Sequence, residues 1–156
     1  AAALVLQRTR NVRFCMAGSG DMMNAMIRLA AGRGIADRFH FPGFMRGKQV
    51  YECLKNSDVY VMPSVSEPFG ISPLEAMQCN CPTIISKQSG CAEILDKCIK
   101  VDYWDTHALA DAIYSICTNP SLYTYLRNEG KKEVDAITWE KVGHKIRSIY
   151  DRLLKQ

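Results

Sequence analysis

The chain has 156 residues, 47% of them apolar and 23% charged. That balance fits one globular domain with its own core and excludes disordered, collagen-like and coiled-coil classes. Twenty Lys and Arg against sixteen Asp and Glu leave a net charge of +4, too mild an excess to imply nucleic acid and suited to a small anionic ligand.

The first nine or so residues read as the tail of a helix, with Leu4, Val5 and Arg8 near its end. Val12–Ala17 is a short run of strand formers that stops at Gly18-Ser19-Gly20. Asp21 then opens a helix carrying Met22, Met23, Met26, Ile27 and Ala30 at helical spacing, closed by Gly32 and Gly34. The methionines read as packing rather than as a cofactor box. Phe39–Phe41 is a second strand ended by Pro42-Gly43, and a helix follows with Val50, Tyr51 and Leu54 on one face. Val59–Met62 is a third strand, apolar throughout as a parallel strand covered on both faces should be.

Pro63–Ile71 is a loop, and a helix runs from Ser72 to about Cys79. Thr83–Ser86 and Ile99–Asp102 are the next strands. Helices over about 105–117, 120–135 and 138–154 finish the chain. The last carries Val142, Ile146, Ile149, Tyr150 and Leu153 on one stripe, with Lys141, Lys145, Ser148 and Arg152 opposite. Those basic residues read as a solvated face, ahead of a membrane-surface role. The longest clean apolar runs are about six residues, as in Ala1–Leu6, against the roughly 20 that a membrane span needs. Alternating helices and strands predict an α/β fold, a Rossmann-like, doubly wound parallel sheet over residues 1–156. Such a domain usually begins with a strand, so the expectation is a fragment whose first strand is truncated.

Seven cysteines, an odd number scattered through apolar segments, suit reduced thiols in a cytoplasmic protein better than a disulfide framework. Cys79, Cys81, Cys91 and Cys98 form the one cluster of note, but its close pair is Cys-x-Cys rather than the Cys-x-x-Cys knuckle that zinc favours. Packing is the expectation, and no metal is assigned. His40, His107 and His144 are far apart in the chain, the first expected at a core or rim position and the others in solvent.

Two loops at strand ends carry chemistry, and ligands of open α/β sheets bind at those ends. In Gly18-Ser19-Gly20-Asp21, glycines between strand and helix would let backbone N–H groups approach a phosphate. Met23 stands where the dinucleotide fingerprint wants a small residue, and Asp21 would repel a pyrophosphate; a tight turn with Asp21 as helix cap is the plainer expectation. The second loop is Ser66-Glu67-Pro68-Phe69-Gly70-Ile71-Ser72-Pro73-Leu74-Glu75-Ala76-Met77. Ser72 as N-cap, Pro73 at the first helical position and Glu75 three residues on spell a capping box. That leaves Glu67 unexplained. Glu67 and Glu75 can each accept from hydroxyls, and the N–H groups of Phe69, Gly70 and Ile71 lie between them, ready for an anion. Two hydroxyl acceptors flanking an anion cradle describe a nucleotide sugar.

The run Glu67-Pro-Phe-Gly-Ile-Ser-Pro-Leu-Glu75-Ala-Met resembles the Glu-x7-Glu motif of retaining GT-B glycosyltransferases, the glycosyl transferases group 1 family. Ser57–Ser64 resembles the strand before that motif and Cys81–Ile85 the strand after it. Val12–Gly20, Phe41–Phe44 and Thr138–Val142 match three further segments. The resemblance implies that the chain is the C-terminal, nucleotide-sugar-binding half of a transferase, inactive without its N-terminal acceptor domain. Glu67, the catalytic candidate, would hold donor-sugar hydroxyls. Phe69, Gly70, Ile71 and Ser72 would line the donor sugar and phosphate, Glu75 would bind the ribose, and Gly18 and Phe44 would lie near the nucleotide, Phe44 beside the base. The donor would be a UDP-, GDP- or ADP-linked sugar, the acceptor a sugar or lipid-linked molecule, with no separate cofactor and no metal. The family's Arg and Lys that neutralise the diphosphate have no match here, and Ser89 replaces the first Gly of its Gly-Gly-x-x-Glu turn, while Gly90 and Glu93 remain. A sugar-nucleotide epimerase on the same fold and a non-catalytic sugar-nucleotide-binding module are the alternatives; no acid/base set for the epimerase stands out.

Overall fold

A computed structural model describes residues 1–154. Helix α1 (Ala2–Arg8) is followed by β1 (Phe14–Ala17), α2 (Met23–Gly32), β2 (Phe39–Gly43), α3 (Lys48–Lys55) and β3 (Tyr60–Met62). Then come α4 (Ile71–Gln78), β4 (Thr83–Ser86), β5 (Ile99–Val101), α5 (Thr106–Thr118), α6 (Pro120–Asp135) and α7 (Trp139–Leu153). Single 3-10 turns at Ala36–Arg38 and Gly90–Glu93 are additions to the expected order.

The fold is α/β with every strand pair parallel, as expected, but the strands lie in two sheets rather than one. β1 pairs with β2, and β4 sits between β3 and β5. β4 is the most buried strand: all four of its residues are buried, Ile84 and Ile85 completely. Full burial of each of these isoleucines contributes about 1.5–3 kcal/mol. β1 has the opposite character. It reads apolar, yet three of its four residues are exposed.

Helix α1 joins the two sheets. Its Val5 is buried in the cluster with Ile84, Val101, Leu109 and Ile113, and the next residue, Leu6, packs with Phe14, Phe39 and Phe41 of the β1–β2 sheet. Those phenylalanines stack at centroid distances of 5.1 and 5.6 Å. α5 packs on α1, and α4 packs on α6 through Met77, which shares a buried cluster with Val134, Ile85 and Leu95.

Side-chain caps mark the starts of α5, α6 and α7. Asp105 accepts from the Ala108 N–H at 2.8 Å, and Asn119 accepts from the Ser121 and Leu122 N–H groups with Pro120 at the first helical position. α2 departs from expectation. It starts at Met23 with Met22 as N-cap, and Asp21 makes no cap hydrogen bond, because the glycines put a turn through Gly20–Met23 instead. α7 has its apolar stripe, but none of its residues is buried; Val142, Ile146 and Ile149 are 42, 49 and 41% exposed. No helix among the described residues is long and apolar enough to cross a membrane.

Candidate functional site

The loop from β3 to α4 is held by a backbone ladder to the turn after β4. Glu67 forms a parallel bridge with Ser89, the Gly90 N–H donates to the Glu67 carbonyl at 2.9 Å, and the Cys91 N–H donates to the Phe69 carbonyl at 2.6 Å. The ladder requires Gly90, since a Cβ there would land on the Pro68 carbonyl. The turn is itself anchored: the Ser86 hydroxyl donates to the Ser64 carbonyl at 2.6 Å, and the Ser86 and Ser89 hydroxyls lie 2.8 Å apart. Ser89, the residue that replaces a glycine of the motif, is 2% exposed and fully engaged, so the turn is intact.

Gly70 is the hinge between loop and helix. Its φ of +88° lies in the region that favours glycine, and a Cβ would come within 2.8 Å of Met62 Cε. This conformation sets the helix start one residue early. α4 begins at Ile71 with Gly70 as N-cap and no side-chain cap. The capping box read from Ser72 and Glu75 is therefore not formed. Ser72 lies inside the first turn, where its hydroxyl accepts from the Tyr60 hydroxyl at 2.7 Å and points toward Met62 Sδ at 3.8 Å. Burial pushes the Tyr60 hydroxyl pKa up, opposed by its bond to Ser72. Glu75 is exposed, one turn into α4, and no side-chain hydrogen bond holds it among the described residues.

The amides between the two glutamates are partly taken. The Phe69 N–H donates to Glu67 Oε1 at 3.5 Å, a long bond within the loop. The Gly70 and Ile71 N–H groups have no partner among the described residues at the N-terminus of α4, Gly70 being buried and Ile71 exposed. The cradle thus has two unpartnered amides rather than three, with Glu67 half-buried beside it. Phe69 and Ile71 are 41% and 67% exposed, apolar walls turned outward. The arrangement can accept hydrogen bonds from hydroxyls at both carboxylates and donate to an anion between them.

Gly18 and Phe44 form a second group at the ends of β1 and β2. The Gly18 N–H donates to the Gly43 carbonyl at 2.8 Å, joining the two loops. Gly18, Gly20 and Gly43 have φ values of +138°, +152° and +79°. Phe44 is 61% exposed, and the Arg46 guanidinium lies 5.1 Å from its ring centroid. Arg46 carries a weak sequence signal, a cation two residues after an aromatic in a glycine-bounded loop. Met16, Met22, Met23 and Met26 line a shallow apolar recess of about 180 Å³ beside Gly18. The eight candidate residues thus fall in two groups on different sheets: Glu67, Phe69, Gly70, Ile71, Ser72 and Glu75 on one, Gly18 and Phe44 on the other.

The four clustered cysteines divide between two apolar clusters, Cys79 and Cys81 packing with Leu54 and Ala76, Cys91 and Cys98 with Met62, Ile85 and Leu95. Burial pushes the Cys81 and Cys98 thiols up to about 12. His40, His107 and His144 are all exposed.

The model of the family described as glycosyl transferases group 1 matches residues 1–133. The chain is 30% identical over 151 residues to the uncharacterized glycosyltransferase MJ1607 of Methanocaldococcus jannaschii, covering 94% of this chain and 38% of that protein. It is 30% identical over 127 residues to the 2-deoxystreptamine N-acetyl-D-glucosaminyltransferase of Niallia circulans, covering 80% and 33%. Among solved structures, TarM superposes with a TM-score of 0.84 at 18% identity, over 96% of this chain and 30% of that one. Anabaena HepE in complex with UDP and glucose superposes at 0.81 and 17%, over 97% and 44%. The chain thus spans about a third to two fifths of the length of these curated relatives.

Proposed function

The chain belongs to the glycosyl transferases group 1 family, and from that premise we propose that it is the donor-binding half of a retaining GT-B glycosyltransferase. The longer protein would move a hexosyl or related sugar from a nucleoside-diphosphate sugar to a sugar or lipid-linked acceptor. The observation that carries this reading is the Glu67–Glu75 segment, in which two carboxylates flank the unpartnered N–H groups of Gly70 and Ile71 at a helix N-terminus.

Each residue has a role in this reading. Glu67, held by the ladder to Ser89 and Gly90, accepts from donor-sugar hydroxyls and fixes the sugar against the reacting centre. The Gly70 and Ile71 amides and the dipole of α4 stabilise charge on the departing diphosphate. Ser72, locked by Tyr60, keeps that turn in place. Glu75 accepts from the ribose hydroxyls. Gly18 admits close approach of the nucleotide, and Phe44 with Arg46 offers a face for the base. HepE, a fold neighbour, has been solved with UDP and glucose, in keeping with a nucleotide-sugar donor.

No divalent ion takes part in this reading: the sequence has no Asp-x-Asp triplet to hold one beside phosphates. On the family resemblance, the cations that neutralise the diphosphate would follow the first strand of this same domain and the acceptor-binding wall would come from a separate N-terminal domain, so residues 1–156 alone would not transfer sugar. The same reading places a strand before α1. β1 and β3 are each paired on one side only, α1 packs on both sheets, and a right-handed crossover through α1 would seat a parallel strand between them. A binding screen of UDP-, GDP- and ADP-linked sugars against the intact protein tests the proposal. One saturable donor supports it, and retention of anomeric configuration in a transferred sugar supports the stereochemistry. Binding of none of them would overturn it.

A further inference from the structure

The seven thiols are not equivalent. Cys79, Cys81, Cys91 and Cys98 are packed in apolar clusters, and Cys117 is exposed alone at the end of α5. Cys15 and Cys53 differ from all of them. Cys15 is exposed on β1, Cys53 is half-buried on α3, and their Sγ atoms lie 4.0 Å apart, the one thiol–thiol contact among the described residues. They come from elements 38 positions apart in the chain, so the fold, not local sequence, brings them together. A disulfide needs the sulfurs at about 2.05 Å, so the two thiols, 4.0 Å apart, must approach further to bond.

The position gives the pair a consequence. Cys15 is three residues before Gly18, on the strand that delivers the Gly18–Gly20 loop. Cys53 is on the helix that follows the Phe44–Gly47 loop. A bond between them ties both loops' supporting elements to each other.

We propose that Cys15 and Cys53 are a thiol–disulfide site that, when oxidised, locks β1 to α3 and stiffens the Gly18 and Phe44 loops. The oxidant is a disulfide of the glutathione class. The Cys15 thiol loses its proton, and its thiolate attacks one sulfur of oxidised glutathione, breaking that S–S bond and releasing one glutathione thiolate. The Cys53 thiolate then attacks the Cys15 sulfur of the mixed disulfide, forming the internal bond and releasing the second glutathione. Two electrons and two protons pass to the oxidant, giving two molecules of reduced glutathione. Burial, followed by the neighbouring Cys53, pushes the Cys15 thiol pKa up, so exchange is slow at neutral pH and the bond forms under sustained oxidation rather than at once. The inference stands on the thiol geometry and does not depend on what the neighbouring loops bind.

The test is to incubate the folded, intact protein with oxidised glutathione, block the remaining thiols and map peptides by mass spectrometry, alongside Cys15→Ser and Cys53→Ser. The expected product is a monomer with a Cys15–Cys53 cross-linked peptide, absent from both variants and reversed by reductant. Its Tm rises by about 5–15 °C over the reduced form, in line with closing a loop of this length. Amide exchange at residues 18–20 and 44–47 slows in the oxidised wild type alone. A stable glutathione adduct on Cys15 with no cross-link, or pairing of either residue with another cysteine, overturns the site. A cross-link that leaves exchange in both loops unchanged overturns the locking role.

Discussion

Gly90 shows how much of the candidate site hangs on one absent methyl group. A Cβ there would meet the Pro68 carbonyl, and the Gly90 N–H is the donor that fixes the Glu67 backbone. Gly90→Ala is expected to cost at least about 2 kcal/mol, the upper part of the usual range for forced overpacking, because the obstacle is backbone and cannot rotate away. Urea unfolding measures it; a loss under about 0.5 kcal/mol would mean the ladder between the two loops is not rigid. The sequence showed Gly90 as a turn residue but not its partner, since Pro68 is 22 positions away in the chain. Ser72 shows the converse. A Ser before a Pro, with Glu three residues on, has every local mark of a capping box. The positive φ of Gly70 and the Tyr60 hydroxyl decide otherwise. Gly70 is close in sequence, but the sign of its φ is not written there, and Tyr60 lies on β3, 12 positions from Ser72. The correction also changes what Glu75 is for, because an exposed carboxylate with no cap to make is available to a ligand.

At the scale of elements, the strands and most helices were legible because their signals are local: apolar runs for the strands and helical spacing for the helices; the caps at Asp105, Asn119 and Thr138 were found in the structure. Asn119 accepts from two N–H groups and is followed by Pro at the first helical position. Asn119→Ala should therefore cost about 1 kcal/mol, read as a lowered urea midpoint with an unchanged slope. No measurable change would mean that packing of α6 on α4, rather than its cap, sets its start. The split of the sheet was not legible, because strand pairing is a long-range property and β1 reads as apolar as β4 does. α7 is the other case. Its stripe and its basic face are plain in the sequence, but whether a stripe is covered depends on what lies opposite, and among the described residues nothing buries it.

The whole molecule is two parallel half-sheets bridged by α1, with the two groups of candidate residues at strand ends of different sheets. Family and fold class were within reach of the sequence because the Glu67–Glu75 run is contiguous. The assembly of Gly18, Phe44 and Arg46 was only partly so, because the Gly18 to Gly43 bond joins loops 25 positions apart. On the metal-free reading, transfer by the longer protein should persist in excess EDTA with unchanged rate; complete loss, restored by Mn²⁺ or Mg²⁺, would require a metal site that this account does not contain. The most direct test of the donor assignment is calorimetric titration of the matching nucleoside diphosphate into wild-type protein and Glu75→Gln, with melting temperatures of both. Glu75 makes no cap bond and is exposed, so the substitution should leave the Tm nearly unchanged. Gln keeps one acceptor and turns a donor toward the second ribose hydroxyl; loss of a charged acceptor bond, about 1.5–3 kcal/mol, weakens binding roughly 10–150-fold. Equal affinities for the two proteins would contradict the assignment of Glu75 to the ribose, and with it the donor site built around the Glu67–Glu75 segment.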